Sequence, residues 1–168
     1  MPIIGAGRNI SPRIQVLLDE ACSGGGGTGG PMAEDFDASL LLPAGWTSSG
    51  DAVWFIQNVI FNSYPNAAES GTIDSSQQTS LFFSRDGLTA LNTISFDYRT
   101  DSENADKLKF FINGVLQGEW SGPYNSNFIS VSFTTDEGMN DFEWRFVRDW
   151  NWEPLASDRV WIDNVVIT

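Results

Sequence analysis

The chain has 168 residues, 41% hydrophobic and 13% aromatic, with seven Trp, twelve Phe and a formal net charge of −13. That content excludes a disordered chain, and each large buried side chain contributes roughly 1.5–3 kcal/mol, so a core can form without cross-links. No His and a single Cys, Cys22, exclude an intrachain disulfide, a His-based triad and the common zinc sites, and the acidity makes nucleic acids and anionic membranes poor partners.

Residues 1–22 carry Arg8 and Arg13 against Asp19 and Glu20, so the whole net charge falls on the rest of the chain. The first residues lack the basic-then-apolar pattern of a secretory signal, and no apolar run reaches membrane length. The expectation is a chain made in the cytoplasm and not inserted in a membrane. Ser11 can cap a helix and Pro12 suits its first position. Ile14, Leu17, Leu18 and Ala21 then fall on one helical stripe. A helix this short needs a surface to pack on, which makes residues 1–22 a docking arm. Residues 23–33 are rich in Gly and read as a flexible tether; the run from Ser23 to Gly30 spans about 15 Å.

From Glu34 onward the period is two. "NTISFDYRT" points Ile94, Phe96 and Tyr98 inward and Ser95, Asp97 and Arg99 outward. "KLKFFIN", "FISVSFT" and "DFEWRFV" put Leu108, Phe110, Ile112, Ile129, Val131, Phe133, Phe142, Trp144 and Phe146 on inner faces. "VWFIQNVI", "TSLFFS" and "DRVWIDNVVIT" add further strands, and "RDG", "NGV", "SGPYN" and "DEG" read as the turns between them. Many short strands with regular turn signals predict an all-β, antiparallel, two-sheet jelly-roll sandwich over residues 34–168. Trp46, Trp54, Trp120, Trp144 and Trp161 read as core or strand-edge residues.

The segments "ESGTID", "ISFDYRTDSENADKLKFFING", "FEWRFVRD" and "DRVWIDNVVIT" follow one another in order. Together they resemble the MAM-like branch of the concanavalin A-like jelly-roll superfamily, over about residues 69–167. The resemblance implies two packed antiparallel sheets and binding or adhesion more often than catalysis. Animal members carry disulfides, which this domain lacks. Glucanases of the superfamily use E-x-D-x-x-E, and no Glu here is followed at the second position by Asp. Related jelly rolls hold a structural calcium between first and last strands, and the corresponding acids are Asp35 or Asp37 and Asp163. The alternative for these acids is solvation or hydrogen bonding to nearby backbone. The acid-rich turn "TDSENAD" lacks the spacing of a helix-loop-helix calcium loop.

Trp150 and Trp152 lie in a predicted loop, where exposed rings stack on a sugar or anchor a partner. Glu103 and Glu143 are the carboxylates that could form a glycosidase pair, which needs a separation of about 5–9.5 Å. Three functions stay open. One is a non-enzymatic virion accessory of a phage, such as a head decoration, head fibre or tail-associated protein. Its arm docks on other virion or scaffold proteins through Ile14, Leu17, Leu18 and Ala21, with homo-oligomers in the assembly. The second is a calcium-dependent carbohydrate-binding or adhesion module of a bacterial surface protein. The third is a glycoside hydrolase.

Overall fold

The computed structural model describes residues 30–122, 127–151 and 158–168. Among these residues there are eleven strands and no helix: β1 (Met32–Glu34), β2 (Trp46–Gly50), β3 (Phe55–Gln57), β4 (Ala67–Glu69), β5 (Gln78–Leu88), β6 (Thr93–Asp101), β7 (Lys107–Ile112), β8 (Val115–Trp120), β9 (Ile129–Thr134), β10 (Gly138–Val147) and β11 (Arg159–Ile167). One sheet runs β3-β4-β11-β6-β9, with β1 also on β11; the other runs β2-β5-β10-β7-β8. Every pairing is antiparallel. Strands far apart in sequence lie side by side, and the fold is a two-sheet jelly-roll sandwich.

Alternation builds the core. Ile94, Phe96 and Tyr98 of one sheet face Leu108, Phe110, Phe142, Trp144 and Phe146 of the other, and all eight are buried. The Trp144 ring lies 5.4 Å from Trp46, 5.4 Å from Phe96 and 5.1 Å from Phe110, so it ties both sheets together at the centre. Such aromatic pairs add about 0.5–1.5 kcal/mol each beyond their burial. Trp46, Trp54 and Trp161 are likewise buried, and Trp120 packs against the core from the β8 edge.

Turn chemistry explains some boundaries, and side-chain capping and edge pairing explain others. Asn113 and Gly114 have φ of 51° and 76° and close the β7–β8 hairpin, the left-handed pair that an Asn-Gly turn supplies. "RDG" does not separate two strands. β5 runs through it to Leu88, with Gly87 at φ 75° and a register shift opposite β10, and the turn falls at Thr89–Asn92 instead. The strand expected in "VWFIQNVI" shrinks to Phe55–Gln57. The Gln57 carboxamide accepts from the backbone N–H groups of Val59 and Ile60 and donates to the Ile60 carbonyl, which pulls the chain out of the sheet. β1 begins at Met32, inside the expected tether, because its backbone completes the open edge of β11 beside Val165–Ile167.

The strand pairings place the ends of the described chain together. Met32 lies opposite Ile167, and Thr168 exchanges backbone hydrogen bonds with Thr93. The opposite end of the sandwich carries the β4–β5, β6–β7 and β10–β11 connections, joined by bonds from Ser76 N to Asp149 O and from Asp149 N to Asp106 Oδ1.

Candidate functional site

Two sheet faces point away from the core, and they differ in what covers them. On the five-stranded sheet, Thr47, Phe82, Glu143, Phe111 and Leu116 lie in register across all five strands. Their chain neighbours Leu81, Phe110, Phe142 and Trp144 are buried, so this row faces outward. Phe82 and Phe111 are half-buried and flank Glu143 on β10; two interstrand spacings separate them, roughly 9.5 Å. Both oxygens of Glu143 accept from the fork of Arg145, at 2.7 and 2.8 Å, and Ser80 Oγ donates to the same carboxylate at 2.7 Å. The Arg145 guanidinium lies 4.6 Å from the centre of the Phe111 ring. Its bond to Glu143 raises its pKa further. The result is a flat surface with one available ring face, Phe82, beside a fixed carboxylate–guanidinium fork. That combination can pack an apolar plane and hydrogen-bond hydroxyls next to it.

The outer face of the six-stranded sheet is partly covered. Asp97 and Asp163 lie opposite each other on β6 and β11. Both are buried, although alternation points Asp97 to solvent. The segment 58–66 crosses over them. Asp163 Oδ2 accepts from the backbone N–H groups of Asn62 and Ser63 at 2.8 Å each, and Oδ1 accepts from Ser63 Oγ at 3.1 Å and Asn164 N at 2.7 Å. Asp97 accepts from Asn62 Nδ2 at 2.7 Å, Asn164 Nδ2 at 2.8 Å and Ser130 Oγ. Burial pushes the Asp163 carboxyl up to about 7 against the opposing pull of these donors. Farther along the face, Trp161 Nε1 donates to Glu69 Oε2 at 2.9 Å, and Glu69 also holds Arg159. Two cavities of about 500 and 550 Å³ open here, one on each side of Val59 and Ile60.

The acids expected to hold calcium are each engaged differently. Asp35 Oδ1 accepts from Asp37 N at 3.1 Å in the turn after β1, and Asp37 Oδ1 accepts from Asn66 N at 3.1 Å. Asp163 holds the 58–66 segment as described. The described carboxylates whose oxygens converge within 4.8 Å are Glu103, Asp106 and Asp149, in the connections at the far end of the sandwich. Arg148 already sits there, donating to Asp106 Oδ2 at 3.3 Å and pairing with Asp158 at 2.8 Å. Burial raises the Asp158 pKa, partly offset by Arg148.

Glu103 and Glu143 are not brought together. Glu143 sits four residues before the end of β10, roughly 13 Å along the strand, whereas Glu103 lies in the β6–β7 connection beyond that end. Trp150 is 78% exposed, the most exposed Trp described. Trp152 and the docking stripe Ile14, Leu17, Leu18 and Ala21 fall outside the described residues. In "KLKFFIN" the period places Leu108, Phe110 and Ile112 inward and so leaves Phe111 to the outer face, while "TSLFFS" reads only as a strand. Each holds two consecutive Phe, and a period of two must send one of them outward.

No known protein-family description and no curated protein matches this chain. Solved structures do. A cleaved adhesin domain of Lys-gingipain from Porphyromonas gingivalis is similar with a TM-score of 0.60 at 14% identity, over 83% of this chain and 98% of that one. TmCBM61, solved with β-1,4-galactotriose, gives 0.56 at 12% identity over 74% and 88%. The CBM22-1 xylan-binding domain of Paenibacillus barcinonensis Xyn10C gives 0.55 at 13% over 85% and 96%. The fold is therefore the jelly-roll sandwich of carbohydrate-binding modules and adhesin domains. Among the described residues no helix is long and apolar enough to cross a membrane.

Proposed function

We propose that this chain is a non-catalytic glycan-binding module and that the outer face of its five-stranded sheet is the binding surface. The observation that carries the reading is the row on that face: the Phe82 ring lies beside the Glu143–Arg145 fork, on a rigid sheet with no described segment lying across it. A pyranose has one apolar face and a rim of hydroxyls. It suits a ring flanked by a fixed donor and a fixed acceptor. The likeness to carbohydrate-binding modules and adhesin domains supports the same reading, as does the MAM-like resemblance of the sequence.

Within this proposal residues 1–22 attach the module to a particle or surface, a phage virion among them. The geometry suits display, since both ends of the described chain leave from one end of the sandwich. Trp150 adds an exposed ring at the opposite end. Calcium through Asp35, Asp37 and Asp163 is tested by running each titration with calcium and with chelator. The deciding experiment is calorimetric titration with xylohexaose, β-1,4-galactotriose and cello-oligosaccharides. Phe82→Ala and Glu143→Gln should each weaken binding about tenfold or more. Unchanged affinity in both variants overturns the assignment of this face, and binding lost only in Trp150→Ala moves the site to the β10–β11 connection.

A further inference from the structure

Arg99 lies on the outer face of β6 and its guanidinium carbon is 5.1 Å from the centre of the Trp161 ring. The other arginines described on β10, β11 and the β10–β11 connection all hold carboxylates: Arg145 holds Glu143, Arg148 holds Asp106 and Asp158, and Arg159 holds Glu69. Arg99 forms no ion pair and no hydrogen bond with the described chain, and its Nε is buried without a partner. A buried donor left unpaired is costly, and a cation above an indole is held in place rather than free to seek solvent. Arg99 borders the cavity of about 500 Å³ together with Asn62, Asn127, Phe61 and Phe128. On the other side of Val59 and Ile60, the cavity of about 550 Å³ is bordered by Phe55, which is 38% exposed, and Trp161.

Charge decides what kind of ligand the Arg99 donors can take. Asp97 and Asp101 stand two residues to either side on the same strand face, and Asp163 and Glu69 lie on the neighbouring strands. In a chain of net charge −13 this neighbourhood repels an anion despite the unpartnered Nε of Arg99. A neutral ligand rich in hydroxyl and ether oxygens supplies acceptors without that penalty, and Phe61 and Phe128 border the same cavity for its apolar face. We propose that the outer face of the six-stranded sheet carries a second saccharide site, in which Arg99, seated on Trp161, donates to oxygens of a neutral sugar. The module then holds one glycan on each sheet. The site lies on the sheet opposite the Phe82–Glu143–Phe111 face and stands or falls separately from it.

The test is calorimetric titration of the full chain with neutral xylohexaose and β-1,4-galactotriose, with a uronic acid oligomer as the anionic comparison. The unmodified chain should bind two equivalents of a neutral oligomer and none of the anionic one. Arg99→Met keeps an unbranched cover over Trp161 but removes the donors. It should leave one equivalent, with the lost site weakened about tenfold or more. Phe82→Ala should leave the other equivalent. Near-ultraviolet circular dichroism of Arg99→Met checks that the Trp161 environment persists, and Arg99→Lys should restore part of the binding. If Arg99→Met titrates as the unmodified chain does, or if the anionic oligomer is the one bound at Arg99, the second site is refuted while the first face is untouched. If Phe82→Ala changes nothing and Arg99→Met removes all binding, the Arg99 site stands and the first face falls. No heat with either neutral oligomer overturns both.

Discussion

Replacing Arg148 by Met tests how the loop-bearing end of the sandwich is held. The guanidinium is 8% exposed and meets three separate segments: Nη1 donates to Ile73 O at 2.8 Å, Nε to Asp106 Oδ2 at 3.3 Å, and Nη2 pairs with Asp158 at 2.8 Å. Asp106 is wholly buried, and its second oxygen accepts from Asp149 N. Methionine keeps most of the volume but leaves two buried carboxylates and a carbonyl without their donor. Removing one partner of a buried ion pair costs about 3–5 kcal/mol, because the charge left behind stays desolvated. For a domain of this size that corresponds to a fall in Tm of roughly 10 °C. Urea unfolding followed by Trp fluorescence measures it, and the midpoint should drop with the slope unchanged. The Lys109–Glu119 pair, 3.9 Å apart on the β7–β8 edge, is the contrast: Lys109→Met should cost less than about 1 kcal/mol. Burial already raises the Asp158 pKa, so the loss in Arg148→Met should shrink on acidification, as the stranded carboxyl takes up a proton. A loss below about 1 kcal/mol for Arg148→Met would falsify the view that this guanidinium organises the three connections.

Two further outcomes follow from single residues. Asp163 has a folded pKa of about 7 against 3.8, so its contribution to stability is present at low pH and lost as pH rises through about 7. Each unit corresponds to roughly 1.4 kcal/mol. In chelator, stability of the unmodified chain should fall from pH 6 to 8 and that of Asp163→Asn should fall less, and parallel curves would rule the buried carboxyl out as the cause. A Cβ at Gly71 would stand 2.5 Å from Val53 O and 2.7 Å from Ala52 Cβ, so Gly71→Ala should cost about 1–3 kcal/mol by forcing apart the chain entering β3. An unchanged urea midpoint would mean that this backbone yields easily.

The all-β class and most inner rows were legible in the sequence, because a sheet with one buried face writes a period of two into its strands. Phe96, Phe110, Phe142 and Trp144 could be placed inside from that period alone, and the Asn113–Gly114 hairpin from its turn residues. The candidate faces were not legible. How much of the six-stranded sheet stays open depends on where a loop of 58–66 comes to rest, and that is set by Asp163 accepting from backbone about a hundred residues away. The same covering buried Asp97, which alternation had pointed to solvent. Phe82, Glu143 and Phe111 are distant in sequence and meet only through the strand order β5-β10-β7. A local period tells which way a side chain points. Only the tertiary packing decides what it points at, because strand order and loop placement are settled by contacts between residues far apart along the chain.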